Sequence, residues 1–89
     1  MERQELEQIV RDTVVEYAGI GPTEIRAESK FVDDLGFDSL DAIELVIELE
    51  EKLGCEIDDQ EAERQITFGQ LVDYLLQLPE IQNKVNKEA

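Results

Sequence analysis

Histidine and tryptophan are absent from the sequence, cysteine and methionine occur once each, and glycine and proline together supply only seven residues. Without histidine there is no side chain that ordinarily exchanges a proton near neutral pH. A single cysteine cannot close an internal disulfide, and with no histidine beside it there is no ligand set for zinc. Cys55 therefore reads as a small buried apolar side chain. The scarcity of glycine and proline, set against a hydrophobic share of 42%, excludes low-complexity disorder. Acids interrupt every apolar stretch within a few residues, which excludes a membrane-spanning helix, and the opening MERQELEQIV has neither the basic nor the apolar region of a secretion signal. A cytoplasmic location, or a compartment reached after loss of a presequence, is the expectation. Eighty-nine residues suffice for one hydrophobic core and not for two.

Basic residues are also scarce: 8 against 23 acids, for a formal charge of -15. The imbalance is local. Phe31 to Glu63 holds thirteen acids and one base, whereas Arg64 to Ala89 holds three of each. A field of this sign repels nucleic-acid phosphates and anionic lipid and draws basic protein surfaces toward it. The middle third is thus a candidate docking region, and the alternative is a face that only keeps the chain soluble.

Periodicity divides the chain into helices. Leu6, Ile9, Val10, Val14 and Tyr17 share one face of a first helix that Gly19, Gly21 and Pro22 end. From Ala18 to Asp38 no period is sustained, but Ile25, Phe31, Val32, Leu35 and Phe37 can pin an ordered loop over the core, with a short helical turn near Thr23 to Ile25. Asp38 is a good N-cap for a second helix, Asp41 sits in its first turn, and Gly54 stops it after Leu53. Asp58 and Asp59 cap a short third helix to about Glu63. Thr67 with Gln70 forms a capping box before Leu71, Val72, Leu75 and Leu76, the inward stripe of a last helix that stops near Pro79. The fold predicted is all-α: a small antiparallel four-helix bundle of three principal helices and a short one, in a domain over residues 1–78. Residues 79–89 form a polar tail in which Ile81 and Val85 are spaced to extend a helical face.

On the second helix, a rotation of about 100° per residue puts Ala42, Leu45, Val46, Leu49 and Leu53 on one arc and Leu40, Ile43 and Ile47 on its continuation around Ser39. So wide an arc exceeds what one small core takes, so Ile43 and Ile47 are expected partly exposed beside Ser39, bordered by Glu44, Glu48 and Glu51, the alternative being that the preceding loop folds over them. The chemistry on offer is narrow. No lysine or second polar partner lies near Ser39 or Cys55 to activate either, and there is no GxxxxGK[ST] or GxGxxG loop. Asp33 to Glu44 has the length of a calcium loop, but Leu35 and Phe37 fall where oxygen ligands are needed and Asp38 replaces the required glycine. No catalytic or metal site is therefore assigned. Ser39, one residue after a helix cap, is the hydroxyl that could bear a phosphoryl group, since free N–H groups and the helix dipole favour negative charge there.

The run Phe31-Val32-Asp33-Asp34-Leu35-Gly36-Phe37-Asp38-Ser39-Leu40-Asp41, continued by Ala42-Ile43-Glu44-Leu45-Val46 and Ile47-Glu48-Leu49-Glu50-Glu51, closely resembles the acyl carrier protein family. That family's attachment signature, Asp-Ser-Leu, matches Asp38, Ser39 and Leu40, and the likeness extends over about residues 4 to 78. The resemblance implies 4'-phosphopantetheine, donated from coenzyme A by a phosphopantetheinyl transferase and esterified to Ser39. It implies a carrier with no catalysis of its own, holding acyl groups as thioesters for fatty-acid, polyketide or related enzymes such as a ketosynthase, ketoreductase, dehydratase or acyltransferase. The partner-contact positions it implies are Asp38, Leu40, Asp41, Ile43, Glu44, Ile47 and Glu48. A monomer that binds neither nucleic acid nor membrane is expected. Three departures stand out: Phe37 before the signature, Asp58 after Glu56-Ile57, and Gln65-Ile66, where Ile66 is expected to turn inward. A peptidyl or aminoacyl carrier, or an unmodified acidic adaptor, would use the same fold.

Overall fold

The computed structural model describes residues 2–81 and forms a small all-α bundle. Helix α1 spans Arg3–Ala18, α2 Ser39–Leu53, α3 Asp59–Glu63 and α4 Phe68–Leu76, with one 3-10 turn at Pro22–Glu24. Among the described residues no helix is long and apolar enough to cross a membrane. The helix limits follow from local chemistry. Glycines at positive φ, Gly19 (68°) and Gly54 (64°), close α1 and α2, a backbone region that a Cβ would strain. Asp58 opens α3 by accepting from the N–H groups of Gln60 and Glu61 at 2.9 and 3.2 Å. The departure at Asp58 is thereby accounted for as a helix cap. Thr67 and Gln70 make the capping box expected of α4.

Helix α1 packs against α2 and α4, and α2 against α3. Leu6, Val10 and Val14 of α1 meet Leu49 and Leu53 of α2 and Val72 and Leu75 of α4 in a fully buried centre. Each such side chain contributes about 1.5–3 kcal/mol of burial. Ile81 is also fully buried, and residues 79–81 begin another helical turn with Pro79 at its start. Val85, the other residue expected to extend that face, lies outside the described residues. Cys55 is buried, as its chemistry suggested. The buried Thr13 donates to the carbonyl of Ile9 at 2.8 Å and accepts from Lys52 at 3.0 Å, which lies 3.8 Å from Glu16. The single base of the acidic third thus ties the last turn of α2 to α1.

The loop between α1 and α2 is held from outside itself. Arg11 on α1 donates to the carbonyls of Pro22 and Ile25, pairs with Glu7, and lies over the ring of Phe68 at 5.0 Å. Further along, backbone pairing ties the loop to the start of α4. The N–H of Phe68 donates to Ser29 at 2.9 Å, that of Gly69 to Ala27 at 2.8 Å, and that of Phe31 to Ile66 at 3.1 Å, around an isolated antiparallel bridge between Lys30 and Thr67. Of the expected anchors, Ile25, Phe31 and Phe37 are buried and Leu35 is half-buried, but Val32 is 68% exposed.

Gly69 makes this approach possible. A Cβ on it would stand 2.9 Å from the Ala27 carbonyl oxygen and 3.2 Å from the Ala27 Cβ. Alanine would gain at most about 1 kcal/mol of helix propensity. Against that stand an overpacking cost of about 1–3 kcal/mol and a lengthened Gly69–Ala27 hydrogen bond worth about 1 kcal/mol. The clash wins. Gly69→Ala should lower the melting temperature, by about 4–8 °C for each kcal/mol of net loss in a domain of this size. An unchanged or raised Tm by calorimetry would show that the loop is not seated on α4 as described.

Candidate functional site

The segment that delivers the chain to α2 is a tight turn followed by a cap. The N–H groups of Asp34 and Leu35 both donate to the carbonyl of Lys30, and the N–H of Lys30 donates to the Asp34 carboxylate at 2.8 Å. Gly36, at φ 73°, reverses the backbone so that the N–H of Phe37 reaches the carbonyl of Phe31 at 2.8 Å. Both rings are then buried with centroids 5.6 Å apart and planes at 55°, a tilted pair. Phe37, the departure before the signature, is accommodated as a core partner of Phe31. The next residue caps α2. Asp38 accepts from the N–H of Asp41 at 2.8 Å, and Asp41 accepts from the N–H of Asp38 at 3.1 Å. Two carboxylates thus form a reciprocal capping box at the end where the helix dipole favours them.

Ser39 is the first helical residue after this cap and is exposed. Its hydroxyl has no hydrogen-bond partner among the described residues, so nothing competes for the oxygen. Asp38 and Leu40 on either side of it are exposed too, Leu40 at 61%. The apolar arc of α2 splits as the wheel predicts. Leu45, Val46, Leu49 and Leu53 are buried and Ala42 is half-buried. Ile43 and Ile47 stay at the surface, 37% and 49% exposed. Glu44 is exposed beside them, while Asp41 and Glu48 are half-buried. The seven residues from Asp38 to Glu48 singled out by resemblance therefore lie on the cap of α2 and its first ten residues.

The field of this face is felt by Tyr17, at the end of α1, whose hydroxyl donates to the carbonyl of Glu44 at 3.3 Å. Partial burial, and after it the charges of Glu48, Glu44, Glu16 and Glu51, push the Tyr17 hydroxyl above its usual pKa. Carboxylates this close repel one another in the folded chain, and mobile cations screen that repulsion. Raising magnesium or monovalent salt from low to physiological ionic strength should raise the melting temperature. A flat Tm would mean that the unfolded chain carries an equal repulsion.

A cavity of about 320 Å³ opens beside Ser39. Phe31, Phe37, Leu45, Val46, Ala62 and Leu71 form buried parts of its wall, and Val32, Asp38, Ser39, Ala42, Glu63, Gln65 and Ile66 complete it. Spacing on single helices could not reveal it, because its walls come from the loop, α2, α3 and α4. Ile66 does not turn inward: it is 59% exposed. Its N–H donates to the Gln70 side chain and its carbonyl accepts from Phe31, so the pairing of this segment with the loop fixes which way the side chain leaves. Gln65 takes the half-buried position, its amide nitrogen donating to the carbonyl of Glu61 at 2.9 Å.

Comparison with other proteins agrees with this architecture. The sequence family described as "Phosphopantetheine attachment site" matches residues 8–75. The acyl carrier protein of Wolinella succinogenes is 52% identical over 66 residues, which cover 74% of this chain and 87% of that protein. A match over most of the folded chain and a relative identical at about half of the aligned positions lead to one conclusion: this chain belongs to the acyl carrier protein family.

Proposed function

We propose that Ser39 bears a 4'-phosphopantetheine arm, placed there from coenzyme A by a phosphopantetheinyl transferase, and that the chain carries acyl groups on it to the enzymes of fatty-acid or related acyl synthesis. As a member of its family the chain is a non-catalytic carrier. The observation that carries the reading is a hydroxyl exposed and without a partner among the described residues, at the first residue of a capped helix, with an apolar cavity opening next to it. The residues fit the group. A phosphodiester on the Ser39 oxygen would sit at the positive end of α2, where its charge is favoured, and would project into solvent rather than displace any core side chain. When bound, the arm supplies a thiol that holds acyl groups as thioesters. The protein's own residues do the rest: Asp38 and Asp41 hold the start of α2 rigid, and the cavity takes up apolar chain away from water. Leu40, Ile43 and Ile47 with Asp38, Asp41, Glu44 and Glu48 present a partner face of mixed aliphatic and acidic character. The arm's attachment is tested by intact mass after coexpression with a transferase. The wild-type chain should gain the mass of one arm, and an unmodified chain would oppose the reading.

A further inference from the structure

The cavity beside Ser39 is apolar within, and its exposed rim mixes the polar Asp38, Ser39 and Glu63 with the aliphatic Val32 and Ile66. Phe37, Leu45, Val46 and Leu71 are buried along its wall, whereas Gln65 is half-buried and Glu63 exposed. The Gln65 amide is not free to swing away. Its nitrogen must be the atom facing Glu61, because a carbonyl there can only accept, and this 2.9 Å bond pins the side chain at the end of α3. Among the described residues the Gln65 Oε1 atom then has no donor and the Glu63 carboxylate has no partner. Spare acceptors at the edge of an apolar cavity cost free energy when a saturated chain displaces their water, and that cost vanishes when the chain itself brings a donor.

The geometry points to Gln65, supported by Glu63, as the residue that selects acyl groups bearing a hydroxyl next to the thioester end, the 3-hydroxyacyl class. This rests on the reading of Ser39 as the point of attachment. A chain tethered outside the cavity enters tail first, so its buried end meets Phe37, Leu45, Val46 and Leu71 while the carbons nearest the thioester cross the mouth. A hydroxyl on the third carbon is there to donate to Gln65. A ketone at the same place has no proton to offer Glu63, and a carboxylated group is repelled by it.

The test uses the full chain carrying its arm and charged with either octanoyl or 3-hydroxyoctanoyl groups. Cleavage of each thioester by hydroxylamine is followed by mass, and each rate is divided by that of the same thioester on free pantetheine to give a protection factor. In the wild type the hydroxyacyl group should be protected roughly three- to tenfold more than the saturated one. Gln65→Met, which keeps the length and removes the acceptor, should bring the ratio to one, and Gln65→Ala should do the same if methionine disturbs the fold. A wild-type ratio of one, or an equal preference in wild type and both variants, overturns the selectivity alone. A wild-type chain that never acquires the arm overturns the attachment reading and this inference with it.

Discussion

Ser39→Ala is expected to abolish loading of the arm completely while leaving the helical circular dichroism and the melting temperature essentially unchanged. Loss is complete because no other hydroxyl occupies an equivalent position: Ser29 is buried, and the Thr67 hydroxyl already caps α4 by accepting from the Gln70 N–H at 3.2 Å. Stability survives because the Ser39 hydroxyl accepts and donates nothing within the described residues and the side chain is exposed, so its removal leaves neither a cavity nor an orphaned partner. Alanine is a better helix former than serine, which moves the balance slightly toward stability. The cap itself is made by Asp38 and Asp41 and stays in place. An alanine variant that still gains the arm would place attachment elsewhere. One that melts several degrees lower would give the hydroxyl a structural role that its surroundings do not show.

Reversing Glu44 and Glu48 to lysine together should slow association with a partner enzyme such as a transferase or ketosynthase by about tenfold or more at low salt, and flatten the salt dependence. The magnitude follows from the division of labour on α2. Its carboxylates act over a Debye length of about 10 Å at 0.1 M salt, so they govern encounter, whereas Ile43 and Ile47 act only at contact. Ile47→Ala should therefore leave association nearly unchanged and speed dissociation by about 5- to 30-fold, the equivalent of about 1–2 kcal/mol of lost burial. With Ile47 49% exposed in the isolated chain, the same substitution should cost little stability. Stopped-flow association at two salt concentrations, beside melting curves, checks both variants. Equal association rates for the wild type and the double lysine variant at low salt would refute docking on this face.

The parts of this account that were legible in the sequence are those written in short-range chemistry. Asp38 and Gly54 bracket α2 because capping and positive φ are local demands, and helical periodicity alone separated Leu45 and Leu49 from Ile43 and Ile47. The segment from Ala18 to Asp38 was legible only as an ordered loop. What orders it is non-local: Arg11 reaching two carbonyls across a turn, and a backbone ladder to residues 66–69 that no periodicity announces. Gly69, inside a capped helix where alanine would ordinarily serve better, allows the close approach, and its role shows only once Ala27 is seen against it. The same ladder explains why Ile66 faces out, its direction set by hydrogen bonds to residues distant in sequence, whereas Val32 is turned outward within the local turn that Lys30, Asp34 and Leu35 close. Hydrophobicity suggested an inward side chain at both positions.

Mapping the added group in the wild-type chain tests the central claim most directly. After incubation with coenzyme A and phosphopantetheinyl transferases of both broad and narrow specificity, the protein is digested and its peptides fragmented by mass spectrometry. The expected result is one arm per chain, on the peptide that contains Phe37 to Leu40, with fragment ions assigning it to Ser39. A chain that remains unmodified with every transferase, or whose modification maps to another residue, would contradict it.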